Sequence, residues 1–148
     1  MFDIDGVIRD VTHSYRLAIQ ETVHNFCKSK PSLQDIDDLK AEGCWNNDWE
    51  ASLILIKRYN QRNSIHKTLP SFKEVKNIFS RFYFGGDPNG NYDDWEGFIK
   101  NENLLVSKDF FQKISQKGFK YGFLSGAEIP SAKFLLEKRI GLSSPCLI

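Results

Sequence analysis

Two carboxylates lie two positions apart within the first ten residues of the chain. Asp3 and Asp5 follow apolar residues and precede Gly6. If the apolar residues end a buried strand, the two-residue period of a strand places both carboxylates on one side, and Gly6 lets the backbone turn beside them. Mg²⁺ is usually held by one or two protein carboxylates together with substrate phosphates. The spacing therefore predicts a site for a divalent cation and a phosphate group.

The elements that must position these carboxylates can be predicted from capping residues and apolar periodicity. Helices are predicted where a capping residue or a proline precedes apolar residues at helical spacing. They cover residues 15–28, 33–42, 48–59, 72–82, 108–117 and 130–141. Strands are predicted to end at Ile4, to run from Phe119 to Leu124 and to begin at Pro145. This order predicts an α/β fold with its site beyond the carboxyl ends of the strands.

The composition narrows the class of protein. Lys and Arg number 20 against 19 for Asp and Glu, and a formal net charge of +1 indicates neither a nucleic-acid partner nor a membrane partner. The three cysteines form no Cys-x-x-Cys pair, so neither a disulfide framework nor a zinc site is indicated. We therefore expect a cytoplasmic protein. Surface roles are predicted for four charged or polar residues that follow the first carboxylates: Arg9, Asp10, His13 and Arg16.

Two segments carry a resemblance to a known family. The segment from Phe2 to Ile8 resembles the first signature of the haloacid dehalogenase superfamily, in which a strand ends in Asp-x-Asp-Gly. The segment from Phe119 to Gly126, an apolar run that ends in Ser125 and Gly126, resembles the second signature. The long interval between them is similar to that of the phosphoglycolate-phosphatase-like subfamily, subfamily IA, in which a helical cap is inserted between the two signatures.

The resemblance implies a domain arrangement. Residues 1–10 and 105–148 would form part of a Rossmann-like α/β core, and residues 11–104 would form an all-helical cap. Two further signatures of the superfamily, a lysine and an acidic pair, would follow the strand that begins at Pro145 and are absent from the 148 residues. We therefore expect a fragment that contains the cap and about half of the core, with weak metal affinity and little activity.

The resemblance also implies a reaction. Asp3 would be a nucleophile that forms an aspartyl phosphate, and Asp5 would exchange protons with the leaving group and with water. Ser125 and Gly126 would bind the phosphoryl group, and Mg²⁺ would be held by Asp3 and Asp5. An acid at the position of Asp5 is typical of the phosphatases of the superfamily rather than of its dehalogenases. The implied substrate is a small phosphorylated metabolite, hydrolysed as a phosphate monoester.

The stretch Asn46, Asn47 and Asp48 allows two interpretations. An asparagine can cap the helix that follows, and an acidic residue in its first turn suits the positive end of the helix dipole. Alternatively, these residues form the cap loop that contacts substrate, as such loops do in the resembled family. Both interpretations remain open from the sequence.

Two other functions compete with phosphate-ester hydrolysis. A phosphotransferase or mutase of the same fold would return the phosphoryl group to a substrate instead of to water. A non-catalytic binding module could retain the Asp3 and Asp5 motif without turnover. The sequence motifs do not separate these three functions, because selectivity depends on the geometry of the site.

Overall fold

The computed structural model describes all 148 residues, and α-helices dominate it. The six α-helices are α1 (Tyr15–Cys27), α2 (Leu33–Ala41), α3 (Asp48–Arg62), α4 (Phe72–Tyr83), α5 (Lys108–Gln116) and α6 (Ile129–Lys133). Strands β1 (Arg9–Asp10) and β2 (Asn103–Leu104) pair antiparallel. None of the helices has both the length and the apolar character needed to cross a membrane.

The first five predicted helices are confirmed, with ends that differ by a few residues. Two of them begin with a reciprocal cap. Ser32 accepts a hydrogen bond from the N–H of Asp35, whose carboxylate accepts one from the N–H of Ser32, and Ser71 and Glu74 do the same at α4. These caps satisfy N–H groups that a helix leaves unpaired, which explains why the sequence located the starts of α2 and α4 correctly.

The segments predicted as strands form only single parallel bridges. Phe2 pairs with Phe123, and Phe123 pairs with Leu147. The first segment stops early because the carbonyl of Ile4 accepts hydrogen bonds from the N–H groups of Val7, Ile8 and Arg9, so that the chain turns at once. The prediction of longer strands is therefore wrong, although their order along the chain and their parallel direction are as expected for an α/β fold.

The last predicted helix also differs in form. Pro130 lies in the first turn of α6, as predicted, but α6 ends at Lys133 and a π-helical segment, Phe134–Arg139, follows it. Three successive residues are buried there: Phe134, Leu135 and Leu136. A wider turn lets neighbouring side chains face different surroundings, which periodicity alone does not predict.

Two separate hydrophobic clusters stabilise the chain. The larger one is built mainly from α1 to α4 and includes Ile19, Phe79 and Trp95. The smaller one surrounds the single bridges and includes Ile4 and Phe123. Strand β1 lies where the chain passes from the smaller cluster to helices α1 to α4, and strand β2 lies where the chain returns from those helices to the smaller cluster.

A buried cluster of polar side chains centres on Arg9, which is 0% exposed. The predicted surface role of Arg9 is therefore wrong. Its Nη1 donates to Glu102 Oε2 at 2.9 Å and to Ser131 Oγ at 2.8 Å, and its Nη2 donates to Tyr15 Oη at 3.0 Å. Tyr83 Oη donates to Glu102 Oε1 at 3.0 Å. Each of these buried polar groups is thereby satisfied, which buried charge requires.

Burial and the neighbouring charges shift the pKa values of this cluster in opposite directions. Burial alone would lower the pKa of Arg9, but the neighbouring Tyr83, Tyr15, Glu102 and Asp5 raise it above its ordinary value. Burial raises the pKa of Glu102, and Arg9 opposes that rise. The guanidinium therefore stays charged and reduces the penalty of burying the carboxylate.

We predict that Arg9→Met lowers the free energy of unfolding by about 3–5 kcal/mol near neutral pH, since it leaves Glu102 buried without its cation. The deficit should shrink towards about pH 5. An acid whose pKa is raised by folding binds its proton more tightly in the folded state, so its destabilising effect appears as the pH rises through the unfolded and folded pKa values. Urea unfolding of the wild type and the variant at both pH values measures this difference.

The matched control is Arg16→Met, because Arg16 pairs with Asp37 at the partly exposed surface of α1. That change should cost at most about 1 kcal/mol. A deficit for Arg9→Met that is equally small, or that does not vary with pH, would contradict the role given to the Arg9 and Glu102 pair.

Candidate active site

Asp3 and Ser125 stand at the ends of two neighbouring parallel segments. The N–H of Phe2 donates to the carbonyl of Gly122, and the N–H of Leu124 donates to the carbonyl of Phe2, each at 2.9 Å. Because parallel segments end at the same edge, the residues that follow each bridge meet there. Asp3, Ser125 and Gly126 accordingly line one open cavity.

The polar groups around this cavity are partly free. Asp3 is exposed, and its Oδ1 accepts a hydrogen bond from the N–H of Ile4 at 2.7 Å, while Oδ2 has no hydrogen-bond partner. Ser125 Oγ accepts from the N–H of Ala127 at 3.0 Å, which leaves its hydroxyl hydrogen to donate elsewhere. The backbone N–H groups of Ser125 and Gly126 donate to no protein atom. Free donors beside a carboxylate suit a phosphoryl group.

A second cavity, of about 280 Å³, lies between the first motif and the helices. Asp5, Gly126 and all three residues of the predicted cap loop line it, together with Tyr15, Phe79, Trp49, Ala127 and Glu128. Gly126 lines both cavities, so the two are neighbours. The structure thus brings Asp3 together with Ser125 and Gly126, and Asp5 together with the Asn46 to Asp48 loop.

Asp5 differs from Asp3 in its surroundings. Its side chain is 30% exposed, and its Oδ1 accepts a hydrogen bond from Arg9 Nε at 2.8 Å. Its Oδ2 has no hydrogen-bond partner. One oxygen is therefore fixed by a buried cation, and the other remains available at the second cavity.

The three residues of the predicted cap loop have different contacts. Asn47 caps α3, since its Oδ1 accepts hydrogen bonds from the N–H groups of Trp49 and Glu50. Asp48 pairs with Lys40 at 2.7 Å, and burial raises the pKa of Asp48 while Lys40 opposes the rise. Asn46 makes no side-chain hydrogen bond and is exposed at the cavity. Its amide is the free group of the loop.

Glu128 lines the second cavity and pairs with Lys76, and neither residue was predicted from the sequence. Lys76 Nζ lies 3.3 Å from Glu128 Oε1 and 4.0 Å from the centre of the Trp49 ring. This contact joins α4 to the loop that follows Ser125. The distance of 52 positions between the two residues explains why spacing did not predict it.

The donors available for a divalent cation are few. No group of three or more His, Cys, Asp or Glu side chains comes together in the structure. Asp3 and Asp5 each keep one free carboxylate oxygen, and Mg²⁺ is commonly held by one or two carboxylates completed by water and substrate phosphate. The two residues therefore fit a weakly held Mg²⁺ that is completed by the substrate.

Known proteins share parts of this chain. No protein-family model matches the sequence. Over 118 residues the chain is 30% identical to imidazoleglycerol-phosphate dehydratase of Phytophthora nicotianae, a match that covers 79% of this chain and 24% of that protein. The chain thus spans about a quarter of the length of the curated relative that it matches.

Among solved structures, the chain is similar to phosphatase Tt82 from Thermococcus thioreducens. The TM-score is 0.72 at 19% sequence identity, and the match covers 99% of this chain and 70% of the phosphatase. A likeness at that identity shows the fold. The chain therefore shares the α/β fold of that protein.

We predict that Asn47→Ala lowers the free energy of unfolding by about 1 kcal/mol, because the N-terminal N–H groups of α3 lose their cap. Asn46→Ala is the matched control and should leave stability unchanged, since the Asn46 amide bonds to nothing. Urea unfolding followed by circular dichroism measures both. Equal stability losses in the two variants would contradict the different roles given to these neighbouring amides.

Proposed function

We propose that this chain carries the phosphoryl-transfer site of a hydrolase that acts on a small phosphate monoester. The observation that supports the proposal best is the meeting of Asp3 with Ser125 and the unpaired N–H groups of Ser125 and Gly126 at one edge. A nucleophilic carboxylate and donors for a phosphoryl oxygen are the two requirements of covalent phosphoryl transfer.

In the first step, a carboxylate oxygen of Asp3 attacks phosphorus, and the bond from phosphorus to the ester oxygen breaks. Asp5 gives a proton to the departing alkoxide, which leaves as an alcohol. Ser125 Oγ–H and the free N–H groups donate hydrogen bonds to the phosphoryl oxygens as charge develops on them. The products of this step are the alcohol and an aspartyl phosphate on Asp3.

In the second step, water attacks the phosphorus of the aspartyl phosphate. Asp5, now ionised, accepts a proton from that water, and the bond from phosphorus to Asp3 breaks. Inorganic phosphate leaves, and both carboxylates return to their starting states. Asp5 thereby gives one proton and regains one, so the protons of the complete reaction balance.

Asp3 and Asp5 would hold Mg²⁺. When bound, the ion supplies positive charge that offsets the repulsion between a carboxylate nucleophile and an anionic ester. The free Oδ2 atom of Asp3 supports this assignment.

Residues 11–104 would act as a helical cap over the partial α/β core formed by residues 1–10 and 105–148. The second cavity supports this arrangement, because it is lined by Asp5 from one side and by the Asn46 to Asp48 loop from the other. In this arrangement the phosphoryl group occupies the cavity at Asp3, and the alcohol portion of the ester extends towards Asn46. A volume of about 280 Å³ lies near the lower end of ligand pockets and suits a small substrate.

The similar proteins also support a phosphate substrate. One is named a phosphatase, and the other is named a dehydratase of imidazoleglycerol phosphate. The dehydratase activity is not carried over to this chain, because the chain covers 24% of that protein.

We predict that the purified chain releases inorganic phosphate slowly from small phosphate monoesters in the presence of Mg²⁺, and that a chelator lowers the rate by more than about tenfold. Asp3→Asn should reduce the rate to the background, because an amide does not form the covalent intermediate. Colorimetric detection of phosphate over long incubations measures these rates.

Asp10→Asn is the matched control. Asp10 belongs to the same segment, but its carboxylate accepts a hydrogen bond from the N–H of Thr12 and lines neither cavity. The rate of phosphate release by the Asp10→Asn variant should equal that of the wild type. Phosphate release that is insensitive to Asp3→Asn would contradict the proposal, and an isomerised ester without free phosphate would indicate a mutase instead.

A further inference from the structure

We propose that Arg9 is a positioning residue that holds Asp5 in place for proton transfer to the leaving group. The inference rests on the proposed function, because it assigns a role relative to Asp5. Arg9 does not line either cavity and touches no substrate position. Its effect would be exerted through the hydrogen bond from its Nε to Asp5 Oδ1.

The guanidinium of Arg9 is immobilised from several directions. Four of its five N–H donors are directed at side chains: Asp5, Glu102, Ser131 and Tyr15. Tyr83 Oη also lies 3.0 Å from Ser131 Oγ and from Glu102 Oε1, so Tyr83 links two of the partners of Arg9. A planar fork that is bound at this many points cannot rotate without breaking buried hydrogen bonds.

The anchors lie on elements that contribute to both hydrophobic clusters. Tyr15 and Tyr83 lie on α1 and α4, which build the larger hydrophobic cluster, whereas Ser131 lies on α6. Glu102 directly precedes β2, the strand that pairs with the strand carrying Arg9. The position of Asp5 therefore depends on these helices and on the paired strands β1 and β2, which lie between the two hydrophobic clusters.

The hydrogen bond from Arg9 determines the orientation of the Asp5 carboxyl group. It is the only side-chain hydrogen bond that Asp5 makes, and it uses Oδ1. With Oδ1 fixed, rotation of the carboxyl group is restricted, and Oδ2 is the oxygen left for proton exchange. Proton transfer requires the acid to lie within hydrogen-bond reach of the leaving oxygen, so small displacements of Asp5 slow that step strongly.

A comparison of two esters tests this role. An aryl ester such as p-nitrophenyl phosphate has a leaving group that departs without a proton, whereas an alkyl ester such as glycerol phosphate needs one. Arg9→Lys keeps the charge but loses the fork, and it should lower kcat/KM for the alkyl ester about tenfold more than for the aryl ester, with most of the change in kcat. The value of kcat/KM reports the step in which the alcohol leaves, so later hydrolysis does not obscure the difference.

The control variant is Arg16→Lys, the same chemical change at an arginine that also pairs with an aspartate, Asp37. It should leave the ratio of the two kcat/KM values unchanged. If Arg9→Lys does not fold, as judged by circular dichroism, Glu102→Gln replaces it, because it removes the charge that anchors the guanidinium and should shift the ratio in the same direction.

The outcomes separate this role from the proposed function. A wild type that releases phosphate from neither ester overturns the proposed function, and the role of Arg9 with it. An active wild type whose two rates fall equally in the folded variant overturns the role of Arg9 alone, because a purely structural arginine would affect both esters alike. A selective loss on the alkyl ester supports it.

Discussion

The structure depends on the burial of one charged group, the guanidinium of Arg9. A buried cation is tolerated only when its donors are paired, and here the partners come from the first motif, from α1, from α6 and from the residue before β2. The need to pair these donors fixes the position at which the chain leaves the first motif for helices α1 to α4 and the position at which it returns from them. The polar cluster therefore joins the two hydrophobic clusters, and it places Asp5 at the second cavity.

The local part of the fold could be predicted from the sequence. Ser32 and Ser71 marked the starts of α2 and α4 because capping depends on residues three positions apart. The roles of Arg9 and Glu102 could not be predicted, because these residues are 93 positions apart and an arginine next to an aspartate motif usually lies at the surface. The π-helical segment after Lys133 was missed for a related reason, since its three buried residues face different clusters.

The candidate site divides into two neighbouring cavities with different chemistry. Asp3, Ser125 and Gly126 provide an exposed carboxylate and free donors, whereas Asp5 and the Asn46 to Asp48 loop provide a partly enclosed volume beside the helices. The sequence predicted all of these site residues, but it did not predict that Tyr15 and Glu128 line the second cavity, because that depends on packing between elements distant in the chain. A phosphoryl group at the first cavity and its alcohol in the second would use both cavities, with Gly126 lining each of them.

The central claim is that the phosphoryl group passes to Asp3, and chemical trapping of the intermediate tests it most directly. The chain is incubated with a phosphate monoester and Mg²⁺, quenched, and treated with borohydride, which reduces an acyl phosphate to an alcohol. Peptide mass spectrometry should then find homoserine in place of aspartate at position 3 and unmodified aspartate at Asp5 and Asp10. Reduction at another carboxylate, or an unmodified Asp3 in a chain that releases phosphate, would contradict the account.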